Sequence, residues 1–133
     1  MGTDRLLDAL LTGDIDFVIV GGVAAVLHGS TLLTRDLDIC IPLGAPSLLR
    51  LQSALQGLHT TDDGRLDCLG TVAGIGGFDE VRALSESFDL GGRPCRVLGL
   101  DGLIRAKEAM GRPHDLATVV QLKALREGGR PPG

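Results

Sequence analysis

Asp36 and Asp38 stand one residue apart in the run R-D-L-D-I-C-I, and their types and spacing point to metal chemistry. The alternation of polar and aliphatic residues from Arg35 to Ile41 predicts a strand. Successive side chains of a strand face opposite ways, so Asp36 and Asp38 share one face while Leu37, Ile39 and Ile41 share the other. The aliphatic side is then core. The two carboxylates are left about 6–7 Å apart along the strand, converging on whatever lies opposite. Like charges this close are stable only if protonated, well solvated or neutralised by a cation. Oxygen-only donors on neighbouring positions suit a hard ion that keeps several waters, Mg2+ or Mn2+.

Immediately upstream, D-F-V-I-V-G-G-V-A-A-V-L-H-G-S reads as a strand over Phe17 to Val20, a turn at Gly21-Gly22 and a short helix. Paired glycines let backbone come close to a ligand, and the start of a helix attracts anions. A metal-holding carboxylate pair beside an anion-binding turn is the equipment for phosphoryl or nucleotidyl transfer. Ser30 and Arg35 line the approach to the aspartates. Both suit phosphate oxygens, Arg35 with a fixed charge, and both equally suit loop capping. His28, alone at a helix end, is read as structural before it is read as a general base.

V-G-G-V-A-A-V-L-H-G-S followed by R-D-L-D-I resembles the signature of the polymerase-β-type nucleotidyltransferase superfamily. The likeness is to its small stand-alone bacterial members, including those related to abortive-infection toxins. It spans about residues 14 to 126 and is densest over 17–41. The resemblance implies an α/β (α+β) nucleotidyltransferase fold, a short mixed twisted sheet with helices mainly on one face and an open cleft on the other. It implies that Asp36 and Asp38 hold Mg2+ (or Mn2+), that Asp67 in R-L-D-C-L completes the metal site and helps activate the acceptor, and that Gly21 and Gly22 seat the triphosphate.

The same resemblance directs Lys107 toward the triphosphate, with an ordinary exposed lysine as the other reading. It also matches Arg112-Pro113-His114-Asp115 to a basic run ending in aspartate. Two positions depart from the family pattern: Gly22 stands where serine is commoner, and His114 where relatives often carry lysine. Asp115, in the first turn of a helix, is accounted for by the helix dipole alone.

The function so implied is metal-dependent transfer of an NMP from an NTP to a hydroxyl on an RNA, a protein or a small molecule, in a toxin–antitoxin type of system. A partner protein or a second copy of the chain would supply what one small domain lacks. The alternative is a catalytically inactive relative that binds nucleotide or acts as an antitoxin-like partner. Dinucleotide binding of the Rossmann kind is disfavoured because no G-x-G-x-x-G follows the first strand. The glycine-rich run Gly70 to Gly77 lacks the P-loop arrangement and is expected to be a mobile connection near the cleft mouth.

Composition bounds these readings. A chain of 133 residues forms one domain with one core, placed at 1–127 with a disordered tail over 128–133. A net charge of −4 and a pI near 5.2 argue against a broad basic surface for gripping nucleic acid. Cys40, Cys68 and Cys95 have no metal-site spacing, which favours a reducing cytoplasm. With Asp67 on the face of Asp36 and Asp38, Cys68 points to the core and away from Cys40, excluding a disulfide between them. No leader pattern or membrane-length apolar run is visible, so no membrane association is expected.

The remaining elements serve to position the aspartates. A helix is expected from a Thr3 cap to about Leu11, ended by Gly13. Leu48, Leu51, Leu55 and Leu58 predict a crossover helix from about Ser47. A short helix is expected over Phe78 to Ser85, then a hairpin turning at Gly91-Gly92, with Pro94 keeping its strand at an edge. Asp101 is expected to cap a helix ending at Gly111. A last helix after Arg112 is expected to turn Leu116, Val119, Val120, Leu122 and Leu125 to the core.

Overall fold

The structure, a computed structural model, describes residues 2–13, 15–30, 36–56 and 65–128. The elements run α1 (Gly2–Thr12), β1 (Val18–Val20), α2 (Gly21–Leu27), β2 (Asp36–Cys40), α3 (Ala45–Ala54), β3 (Arg65–Leu69), β4 (Thr71–Val72), β5 (Gly76–Gly77), α4 (Phe78–Ala83), β6 (Ser85–Leu90), β7 (Arg93–Leu98), α5 (Leu100–Met110) and α6 (Pro113–Arg126). The architecture is mixed α and β, of the α+β kind. Five strands form one sheet in the order β3-β2-β1-β7-β6, and β4 and β5 form a separate two-stranded ribbon.

The sheet is mixed because its connections differ. β1 and β2 pair antiparallel and β6 and β7 form an antiparallel hairpin, whereas β1–β7 and β2–β3 are parallel. A parallel neighbour requires a crossover, which α3 supplies between β2 and β3. β1 is the hub. Val18, Ile19 and Val20 are all buried, so this strand is covered on both faces. Along β2 the carboxylate side is open only at the Asp36–Asp38 end, where Asp36 is exposed and Asp38 half-buried while Leu37, Ile39 and Ile41 are buried.

Helix α1 begins one residue before the expected Thr3 cap, and its Leu6 and Leu10 enter the core. Gly13 closes it at a point where a Cβ would lie 2.6 Å from that of Ala54, so α1 and α3 meet at a glycine. α3 buries only Leu51 of the expected stripe. Leu48 is exposed and Leu55 half-buried, because this helix meets α1 rather than lying flat on the sheet. Leu58 and the tail from 129 fall outside the described residues.

Further readings are corrected. Gly70 to Gly77 is not a free connection: Thr71 pairs with Gly77 and Val72 with Gly76. The ribbon's tip is fastened where Arg105 donates to the Gly74 carbonyl at 3.1 Å. β7 lies inside the sheet, not at its edge. Pro94 is tolerated there because the pairing of β1 with β7 is centred at Ile19↔Val97, which leaves Pro94 beyond the end of β1. Asp101 does not cap α5, whose cap is Gly99 without a side-chain bond; its carboxylate accepts from Arg126 at 3.0 Å instead. Gly111 does end that helix, at φ +66.

On α6 the buried face is Asp115, Val119 and Leu122, spaced i, i+4 and i+7. Leu116 and Val120, one position out of phase, are 49% and 59% exposed. Leu125 is half-buried. All three cysteines are free. The register sets Cys68 beside Ile39 and Cys40 beside Leu69, so the two thiols do face opposite ways. Cys68 is nonetheless exposed, since β3 is the sheet's edge and the cover over that face ends there. Among the described residues no helix is long and apolar enough to cross a membrane.

Candidate active site

β2 and β3 run parallel with Asp36 beside Arg65 and Asp38 beside Asp67. Partners in register point the same way, so Asp36, Asp38 and Asp67 share one face of two adjoining strands. Parity along β2 puts the two aspartates of that strand there, and the pairing with β3 delivers the third. The aliphatic positions between them are buried on the opposite face, which keeps the strand from slipping by one residue.

Asp38 sits deepest of the three. Its pKa is raised from 3.8 to about 6, first by burial, then by the Asp67 charge, by a hydrogen bond between the two carboxyl groups, and by Asp36; Lys107 opposes the shift. Two acids this close cannot both ionise freely, so Asp38 keeps its proton to a higher pH than a free carboxyl does. The donor set is all hard oxygen, crowded and electrostatically frustrated, and therefore fits Mg2+ or Mn2+, which would replace that proton and relieve the repulsion. Among the described residues no group of three or more His, Cys, Asp and Glu is drawn together closely enough to hold an ion as it stands.

The glycine turn is built against this pair. Gly21 takes φ +69, a conformation in which glycine alone is unstrained. A Cβ there would also fall 2.4 Å from Asp38 Oδ2. Backbone and carboxylate thus touch at the one position where the chain has no side chain. Gly22 follows as the second residue of α2.

Lys107 reaches the site from α5. Its charge acts on Asp38, while its ammonium donates to Asp115 Oδ1 at 3.3 Å. Asp115 is fully buried and accepts from both sides: Arg112 Nε reaches Oδ2 at 2.5 Å, Arg112 Nη2 reaches Oδ1 at 3.2 Å, and the Arg112 backbone N–H reaches Oδ2 at 3.3 Å. His114 Nε2 stands 3.6 Å from Oδ1. The Arg112 hydrogen bonds, then those of Lys107, hold the Asp115 carboxyl down at about 2 against the effect of burial. Its charge therefore persists well below neutral pH, and it holds the Lys107 ammonium.

This carboxylate was missed by reading it as a helix-dipole partner. The available signal was its phase: Asp115 lies on the same helical face as Val119 and Leu122. Arg65 was missed too. Its Nε lies 3.4 Å from Asp67 Oδ1, and it stands beside Asp36 in the register, so it supplies positive charge at the exposed rim of the acidic group.

The other expected residues take different places. Ser30 is buried, and its hydroxyl donates to Gln121 Oε1 of α6 at 3.3 Å, an internal tie between the end of α2 and α6. His28 Nε2 is 2.9 Å from the Leu98 carbonyl and its ring meets Phe88 edge-on at 5.0 Å, in keeping with a structural role. Arg35 lies outside the described residues. Neither a scan against protein-family models nor searches of curated proteins and of solved structures finds a match to this chain.

Proposed function

We propose that this chain is a metal-dependent nucleotidyltransferase with a nucleotidyltransferase-type fold, moving an NMP from an NTP to a hydroxyl acceptor. The observation that carries the reading is the register pair Asp38–Asp67 with Asp36 on the same face, set against the glycine turn and approached by Lys107. Asp36, Asp38 and Asp67 would hold Mg2+ or Mn2+, which when bound neutralises charge on the triphosphate. Gly21 and Gly22 let the phosphates approach backbone without obstruction. Lys107, steadied by Asp115, binds a phosphate oxygen as a point charge. Asp67, the more open carboxylate of the pair, accepts the proton of the acceptor hydroxyl. The acceptor oxygen then bonds to the α-phosphorus, the bond to the β-phosphate oxygen breaks, and pyrophosphate leaves.

The competing reading is a nucleotide-binding module or antitoxin-like partner without transfer, favoured by Gly22 in place of the commoner serine. Labelled α-phosphate separates the two. With each NTP, Mg2+ or Mn2+ and cell extract, the wild-type chain should label an RNA, a protein or a small molecule, and Asp38→Asn should not. Nucleotide binding with no labelled product under any combination would favour the module.

A further inference from the structure

The opposite end of β1 carries a cavity of its own, about 160 Å3 in volume and lined in part by Asp16, Phe17, Phe78, Arg82, Cys95 and Arg96. It exists because β1 and β7 part company. Their pairing is centred at Ile19↔Val97, and continued two residues back it would join Phe17 to Cys95. The strand begins only at Val18, and α4 stands over the gap so formed, packed on both strands. The candidate active site is at the other end of β1, where Val20 meets Asp38, four residues and about 13 Å of strand from Asp16.

The floor is apolar: Phe17 and Cys95 are buried and Phe78 is half-buried. The rim is basic. Arg65, Arg93, Arg105, Arg112 and Arg126 each engage a carboxylate or a carbonyl. The Arg82 and Arg96 guanidiniums have no hydrogen bond or ion pair among the described residues, although Asp16 lines the same cavity. Arg50 too has no ion pair among the described residues, but only Arg82 and Arg96 line one recess together, which sets two guanidiniums within reach of a single ligand. Arg82 is also held at its base, where its carbonyl accepts from Ser85 Oγ at 2.6 Å.

From this we infer that the cavity binds a small organic anion, a carboxylate or phosphate monoester with a compact apolar body. Arg82 and Arg96 take the charged group, a task for which the guanidinium fork is suited, and Phe17 and Phe78 take the body. Asp16 repels a second negative charge and accepts a hydrogen bond from any donor on the ligand. The site is independent of the proposed transfer chemistry.

The test is an amide-shift titration of the full chain with benzoate, phenyl phosphate, inorganic phosphate and, as the neutral control, benzyl alcohol. Saturable shifts centred on Phe17, Arg82 and Arg96 with benzoate assign a carboxylate ligand, and with phenyl phosphate a phosphate monoester. Benzyl alcohol should bind at least about tenfold more weakly, and Arg82→Gln and Arg96→Gln should each cost about tenfold, the worth of one charge-assisted contact. Both arginines are exposed, so the variants should keep the wild-type spectrum and Tm. Absence of saturable shifts, affinity unchanged in both variants, shifts centred on Asp36, Asp38 and Asp67, or inorganic phosphate binding as tightly as phenyl phosphate would each overturn the assignment.

Discussion

Asp38 and Asp67 are register partners on two parallel strands, close enough that, on top of burial, the Asp67 charge raises the pKa of the Asp38 carboxyl. The sheet could have separated these charges by a shift of one residue. It instead sets them together on the open end of β2, with Gly21 closing over one and Arg65 beside the other.

The first consequence is a pH dependence of stability. Asp38 titrates at about 6 instead of 3.8, so between those values the folded chain binds more protons than the unfolded one, and stability falls as pH rises. A shift of this size corresponds to about 3 kcal/mol; solvent at this half-buried site reduces it to about 1–2 kcal/mol. Urea unfolding from pH 4 to pH 7 should show wild-type stability declining relative to Asp38→Asn by that amount. The variant should be the more stable at pH 7.

Asp115 should behave in the opposite sense. Its carboxyl is held at about 2 by Arg112 and Lys107, so its contribution is present above the unfolded value near 4 and is lost as pH falls toward 2. Asp115→Ala removes the acceptor that Arg112 and the mostly buried Lys107 share. Its Tm at pH 7 should fall further than that of Asp36→Asn or Asp67→Asn, and the loss should shrink below pH 3.

Gly21→Ala combines two penalties, the positive φ and the contact with Asp38 Oδ2. Gly91 has nearly the same φ, +65, with nothing near its Cβ. Gly91→Ala should therefore cost about 1–2 kcal/mol from backbone strain alone, and Gly21→Ala measurably more. Calorimetry of the two variants gives the clash by difference. Only Gly21→Ala should lose activity, by more than about tenfold, because Asp38 must move aside.

Lys107→Met removes the charge that lowers the Asp38 pKa. The pH midpoint of the Asp38-dependent stability change should rise, and the affinity for NTP should fall while Asp115 remains buried. Isothermal titration with a non-hydrolysable NTP checks the second effect directly.

What was legible in the chain was parity. Alternation around Leu37, Ile39 and Ile41 placed Asp36 and Asp38 on one face; alternation in R-L-D-C-L set Asp67 opposite in facing to Leu66 and Cys68, and only the family resemblance put it beside the other two. The Gly91-Gly92 hairpin was legible for a similar local reason: two positive-φ residues between short strands. Helix faces were not. On α6 the stripe 116/120 and the stripe 115/119/122 are both internally periodic, and only packing against α5 selects the second. Selecting it buries an aspartate, which no hydrophobicity pattern favours. The β4–β5 ribbon was missed for its glycines, whose strand role depends on the close approach of Gly74 to Arg105 and Ala109.

In the proposed mechanism, Asp36, Asp38 and Asp67 on β2 and β3 together gather a divalent cation with an NTP. Mn2+ electron paramagnetic resonance titration, with and without a non-hydrolysable NTP, measures that binding most directly. Mn2+ should bind saturably, more tightly with NTP, and at least about tenfold more weakly in both Asp38→Asn and Asp67→Asn, the loss expected when one charged ligand is removed. Mn2+ affinity that is absent in the wild type, or equal in all three proteins, would contradict it.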